Sequence, residues 1–187
     1  MNGRQTPAVW VISGPSGVGK GTVCAVLRAR HPDAFYSISA TTRSPRVGET
    51  DGLSYHFVTP EAFRRMIDDG DLLEWAVVHG QNYYGTPRQP VDEALAAGRV
   101  VVLEIDLQGA RQVKRNLPEA KLLFLMPPSW EELVARLAGR GTEDRAAQER
   151  RLETAKQELA SVGEADHVVV NGEIEETVEA LVGLLGL

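Results

Sequence analysis

The sequence predicts an α/β domain with a central, mostly parallel sheet covered by helices on both faces, and three observations carry that prediction. Apolar runs of strand length alternate with amphipathic stretches of helical period along most of the chain. A glycine-rich turn joins the first apolar run to the first helix. Between about Tyr36 and Val91 the rhythm breaks into short strands and polar loops, which predicts a small inserted unit beside the sheet. A length of 187 residues suits one domain that buries about two thirds of its unfolded surface.

Each element follows in order. Val9 to Ile12 reads as a buried strand ending in Ser13-Gly14. Lys20 to Arg30 places Val23, Val26 and Leu27 on one helical face, and His31-Pro32-Asp33 stops it. Tyr36 to Ser39 reads as a second strand, Thr41 to Asp51 as a polar loop and Tyr55 to Val58 as a strand. Thr59-Pro60-Glu61 opens a helix to about Asp69, with proline at an early helical position. Leu72 to Val78 is strand-like, Asn82 to Gly85 reads as a turn, and Pro87 to Ala97 as a helix ended by Gly98. Val100 to Ile105 is the clearest buried parallel strand. A helix from Leu107 to Asn116 and a strand from Leu122 to Met126 come next. Ser129 caps a helix from Trp130 to about Leu137, with Glu131 and Glu132 in its first turn. After a break at Gly139 to Thr142, a long helix carries Leu152, Ala155, Leu159 and Val162. His167 to Val170 forms a last strand and Ile174 to Leu185 a last helix. Gly139 to Gln148 reads as a mobile flap.

Charged residues make up 25% and apolar ones 43%, which excludes a disordered or fibrous chain. The net charge of −6 argues against a protein that coats nucleic acid. A single cysteine, Cys24, allows no internal disulfide and no zinc cluster, and it reads as core filler. Met1 to Pro7 has no long apolar stretch, and no run is long enough for a membrane span, so a cytoplasmic protein with no membrane partner is expected. The basic residues are 16 arginines and only 4 lysines. Arginine is the better fork for phosphate, although the total alone fits a compositional bias equally well.

Gly14-Pro15-Ser16-Gly17-Val18-Gly19-Lys20-Gly21-Thr22 lies between a buried strand and a helix, the context of a P-loop. Its glycines let successive N–H groups turn inward as an anion nest, and the helix start and the Lys20 ammonium add positive charge. At Gly17 and Gly19 a Cβ would block a phosphate or demand an unfavourable φ. A Ser or Thr normally follows the lysine to hold Mg²⁺. Here Gly21 stands in that place and Thr22 comes next, so no direct metal ligand is assigned.

Three further groups narrow the chemistry. The stretch from Ser39 to Glu49 places Arg43 and Arg46 in a polar loop near Tyr55, a set able to hold a phosphate monoester or simply to be solvated. Glu74 sits in an otherwise apolar strand, followed by Tyr83-Tyr84-Gly85-Thr86; the alternative is an outward residue on an edge strand. Arg136, Arg140, Arg145, Arg150 and Arg151 crowd around Gly139 to Thr142 and repel one another unless an anion lies among them. Arg145 and Arg150 also read as solvated surface beside Asp144 and Glu149. The four histidines, His31, His56, His79 and His167, lack metal-like spacing and read as structural.

From about residue 8 to 185 the chain resembles the guanylate kinases. The loop from Gly14 to Lys20, the Ser-x-x-Thr-Thr-Arg-x-Pro-Arg-x-Gly-Glu stretch (Ser39 to Glu49), Asn82 to Thr86, Glu104 to Gly109 and Arg140-Gly141-Thr142-Glu143 match that family's motifs in order. The resemblance implies a P-loop core (8–35, 92–138 and 149–187), a GMP-binding subdomain (36–91) and a lid (139–148). It implies transfer of a phosphoryl group from ATP to GMP, and to dGMP, with Mg²⁺, in purine metabolism and GMP recycling. Arg43, Arg46, Tyr55 and Tyr84 would hold the GMP phosphate, and Ser39, Glu74 and Thr86 would face guanine. Asp106 would reach the base or the metal shell. Lys20, Arg46, Arg140 and Arg151 would act on the transferring group. The loop from Gly14 to Thr22, Arg136 and Asn171 would bind ATP, with Asn171 near adenine.

Guanine presents N1–H and N2–H₂ side by side, and one carboxylate accepts both, whereas the N1 acceptor of adenine is repelled. This favours guanine over the rival readings of a kinase for AMP or for a phosphorylated sugar. Scaffold domains that resemble guanylate kinases carry degraded P-loops, while Lys20 and its loop are intact here. Oligomeric state is left open, a homo-oligomer included.

Overall fold

A computed structural model describes residues 8–78, 81–138 and 145–187, excluding the side chains of 145–149. The chain runs β1 (Val9–Ser13), α1 (Lys20–Arg30), β2 (Phe35–Tyr36), β3 (Ala40–Thr41), β4 (His56–Phe57), α2 (Pro60–Asp68), β5 (Leu72–Val78), β6 (Asn82–Pro87) and α3 (Arg88–Ala96). It continues through β7 (Val101–Glu104), α4 (Leu107–Asn116), β8 (Lys121–Met126), α5 (Trp130–Ala138), α6 (Arg145–Ala160), a 3₁₀ turn (Val162–Glu164), β9 (His167–Val170) and α7 (Ile174–Leu185).

Five strands form a parallel sheet in the order β2-β7-β1-β8-β9. Every residue of β1 is buried, because β7 and β8 flank it and helices cover both faces. Alternation sends Val9 and Val11 into one core with Val101, Leu103, Ala110 and Val113. It sends Trp10 and Ile12 into the other core with Val23, Leu27, Leu123 and Leu181. The order of connection reverses at β1, so the turn after it opens into the crevice where such sheets bind ligands.

A second sheet, in the order β4-β3-β6-β5, is built from residues between Ala40 and Pro87. Its small core holds Ala40, Phe63 and Leu72. Thr59 caps α2 by accepting the Ala62 N–H at 3.2 Å, with Pro60 in the first turn as expected.

Three elements differ from expectation. The strand expected at Tyr36 to Ser39 is split: Phe35 and Tyr36 pair with β7, the chain then leaves that sheet, and Ala40 and Thr41 pair in the other. Asn82 to Gly85 is no turn but part of β6, antiparallel to both β3 and β5. Tyr83, Tyr84 and Thr86 favour a pleated surface, and pairing on both sides overrides the turn preference of Asn82 and Gly85. Val162 lies in the 3₁₀ turn rather than in the long helix. Of the expected lid, residues 139–144 lie outside the described residues, and 145–148 begin α6. Among the described residues, no helix is long and apolar enough to cross a membrane.

Candidate active site

The turn between β1 and α1 stands at the mouth of the crevice. Gly17 and Gly19 have φ of 84° and 101°, conformations that a side chain rarely tolerates. The space is also taken, by protein: a Cβ would meet Leu137 Cδ2 at 2.7 Å from Gly17 and Asn171 Nδ2 at 2.7 Å from Gly19. Arg136 and Asn171 both donate to the carbonyl of Val18, at 3.0 and 2.7 Å. The two side chains expected to face ATP thus have donors on the loop itself. Asn171 is buried at the end of β9, and its own N–H is taken by the Met126 carbonyl at 2.7 Å.

Lys20 donates from Nζ to the carbonyls of Gly14 and Pro15, at 2.5 and 3.3 Å. Burial pulls its ammonium below the ordinary lysine range, while the carboxylates of Glu158, Glu104 and Asp106 oppose that shift. Arg151 donates to Ser16 Oγ at 3.2 Å, and the Ser16 N–H donates to Glu158 Oε2 at 3.0 Å. Arg151 and Glu158 are two helical turns apart on α6, so one helix face presents both an arginine and a carboxylate to the loop. Gly21 and Thr22 are exposed in the first turn of α1. Glu104 Oε1 would stand 3.4 Å from a Cβ on Gly21, and burial pushes the Glu104 carboxyl up.

A second group gathers on the other sheet. Arg43 donates from Nε to the Tyr84 hydroxyl at 3.1 Å and grips Glu49 with two parallel bonds of 2.9 and 2.8 Å. This grip holds the Glu49 carboxyl down at about 2. The guanidinium also lies 5.3 Å from the centre of the Tyr55 ring, which meets Tyr84 edge-on at 5.9 Å. Arg46 is exposed, and its backbone N–H donates to Glu49 at 2.7 Å. Ser39 is half-buried just before β3, its carbonyl accepting the His56 N–H at 2.9 Å.

Glu74 is an inward residue, 5% exposed, and not the outward one of the alternative reading. Its Oε1 accepts the Thr86 hydroxyl at 2.7 Å, across the β5–β6 register that sets the two opposite each other. Burial pushes its carboxyl up to about 7, and the charge of Asp106 adds to the shift. Asp106 caps α4 by accepting the Gly109 N–H at 2.8 Å. Its charge acts on both Glu74 and Lys20.

The structure therefore draws the loop, Arg136, Asn171, Lys20 and Arg151 together, and draws Arg43, Tyr55 and Tyr84 together and Glu74 with Thr86. Arg140 lies outside the described residues. Sequence reasoning missed roles for two carboxylates, Glu49 and Glu158, each held by positive or N–H groups of the site. Glu49 was visible at the end of the arginine-bearing motif. No local pattern marks Glu158, which meets a residue 142 positions away.

A phosphate loop at the switch point of a parallel sheet, with a second arginine group on an adjoining sheet, defines the P-loop class of nucleotide phosphotransferases. The sequence model of the guanylate kinase family matches residues 6–186. The chain is 59% identical to the guanylate kinase of Leifsonia xyli subsp. xyli over 182 residues, 97% of this chain and 72% of the relative. It is 56% identical to that of Mycobacterium sp. (strain MCS) over 184 residues, 98% of this chain and 93% of the relative. The crystal structure of guanylate kinase from Anaplasma phagocytophilum superposes with a TM-score of 0.79 at 33% identity, covering 97% of this chain and 85% of that one. The chain belongs to the guanylate kinase family, and it is an enzyme of that family.

Proposed function

We propose that this chain transfers the γ-phosphoryl group of ATP to GMP and to dGMP, giving ADP and the matching diphosphate. The observation that carries the reading is Glu74: a buried carboxylate, steadied by Thr86, on the sheet beside the phosphate loop. Such a group is complementary to the paired N1–H and N2–H₂ of guanine and to no other common base. Arg43, Tyr84, Tyr55 and Arg46 then take the phosphate of the monophosphate, with the anion competing for the donors that Glu49 occupies. Ser39 stands on the guanine side. The loop from Gly14 to Thr22 cradles ATP, with Arg136 and Asn171 behind it.

A GMP phosphate oxygen is already nucleophilic, so it attacks the γ-phosphorus without a protein base as the bond to the ADP oxygen breaks. Lys20, Arg46, Arg140 and Arg151 offset the charge spread over the moving group. Mg²⁺ would be held by phosphate oxygens and waters with one or two carboxylates, and Glu104 and Asp106, whose charges act on Lys20, have the oxygen donors for that part. Bound there, the ion would neutralise phosphate charge. Purine nucleotide metabolism and GMP recycling, in the cytoplasm, form the setting this reaction implies.

The test is a coupled ADP-release assay with ATP and GMP, dGMP, AMP, CMP and UMP in turn. Turnover confined to GMP and dGMP is expected, and comparable turnover with AMP would overturn the guanine assignment.

A further inference from the structure

Gly109, Gln112 and Asn116 recur on one face of α4, and that face lies along β5. Gln112 donates from Nε2 to the Trp75 carbonyl at 2.6 Å and accepts the Trp75 N–H at 3.3 Å. Asn116 donates to the Leu73 carbonyl at 2.7 Å, where the register of β5 against β6 shifts. The backbone on both sides of Glu74 is thus pinned to the helix by side-chain amides. At the third position of the same face the helix has no side chain. A Cβ on Gly109 would stand 2.6 Å from Glu74 Oε2 and 3.1 Å from its Cδ, with Ile105 Cδ1 at 3.3 Å.

Nothing else about α4 asks for glycine there. Gly109 is helical without a positive φ, and its N–H bond to Asp106 is one that any residue except proline makes. Glycine also weakens a helix relative to alanine. We infer that Gly109 is a specificity-positioning residue, whose missing side chain gives the Glu74 carboxyl the place from which it reads guanine. The inference rests on the guanine reading of Glu74 proposed above.

A methyl group at 109 has one easy way to be accommodated. The strand cannot retreat, because Gln112 and Asn116 hold Trp75 and Leu73, but the Glu74 side chain can swing at its free end. The carboxyl then leaves Thr86 and the base, while the fold stays intact.

The experiment compares Gly109→Ala, Glu74→Gln and the double variant by steady-state kinetics and thermal melting. Gly109→Ala is expected to raise KM for GMP about tenfold, the equivalent of one hydrogen bond, with KM for ATP unchanged and melting unchanged or higher. In the Glu74→Gln background the same substitution is expected to add little, because the group it acts through has already been altered. If Glu74→Gln impairs GMP but Gly109→Ala does not, the positioning role falls and the guanine reading stands. An equal cost of Gly109→Ala in both backgrounds, an equal rise in KM for ATP, or a lowered melting temperature also overturns it. If Glu74→Gln itself leaves GMP kinetics unchanged, the guanine reading fails and this inference fails with it.

Discussion

Thr86 donates its hydroxyl proton to Glu74 at 2.7 Å, and both residues are buried. In so dry a place a carboxylate makes strong hydrogen bonds and is costly to leave unpaired. Glu74→Gln keeps the volume but replaces two acceptors with one acceptor and one donor, so at most one guanine N–H is well satisfied. A charge-assisted bond contributes about 1.5–3 kcal/mol, so kcat/KM for GMP and dGMP should fall roughly 10- to 150-fold. ATP binding should hardly change. GMP kinetics close to those of the parent, or an equal loss toward ATP, would count against the role.

The same burial sets a pH dependence. The Glu74 carboxyl titrates near 7 in the folded chain against an ordinary 4.5, so between those values the folded state holds the extra proton. Its ionisation therefore removes stability as pH rises from about 4.5 through 7. Guanine needs the ionised form, so KM for GMP should fall roughly tenfold from pH 6 to 8 and then level. The second ionisation of the GMP phosphate, near ~6, contributes equally to Glu74→Gln. The difference between the two pH profiles isolates Glu74, and superimposable profiles would remove it from the titration.

Lys20→Met should leave melting nearly unchanged and lower kcat at least ~10²-fold, by comparison with loss of one preorganised stabilising group. Single-turnover kinetics with saturating ATP and GMP would show the loss in the phosphoryl-transfer step. Near-normal turnover in a folded variant would exclude a catalytic part for this ammonium.

Asn171→Ala should loosen the phosphate loop from behind. The Val18 carbonyl would keep only the Arg136 bond, and the contact that fills the space beside Gly19 would be lost. A cost of about 1 kcal/mol lowers the melting point by about 2–4 °C, and KM for ATP should rise several-fold. A rise in KM for GMP of the same size would mean the damage is general.

The phosphate loop was legible because its chemistry is local: glycines, a lysine and the flanking apolar run lie within a dozen residues. The strands of the parallel sheet were legible for a similar reason, since burial on both faces leaves continuous runs such as Val101 to Leu103. What escaped depends on partners distant in sequence. Asn82 to Gly85 became a strand because Thr41 and Ala76 flank Tyr84 from two sides. Glu158 entered the site through Ser16, and the constraint on Gly109 exists only once β5 has docked on α4. The motif carrying Glu49 was plain, but not that Arg43 would grip it.

The central place of β1 has a consequence for how the chain is made. Its partners in the sheet are β7 and β8, Val9 meeting Val101 and Trp10 meeting Lys121. Strand β1 must therefore wait about 90 residues for its first immediate neighbour, roughly 5–20 s at ordinary ribosomal speed. The five residues of β1, all buried in the folded chain, are during translation an apolar segment whose backbone groups lack their sheet partners. The adjoining β5 and β6, joined by a short connection, can pair as soon as they emerge. The glycine-rich loop after Ser13 thus hangs from a strand whose surroundings arrive late, and until then Val9 to Ser13 is an apolar segment open to other chains.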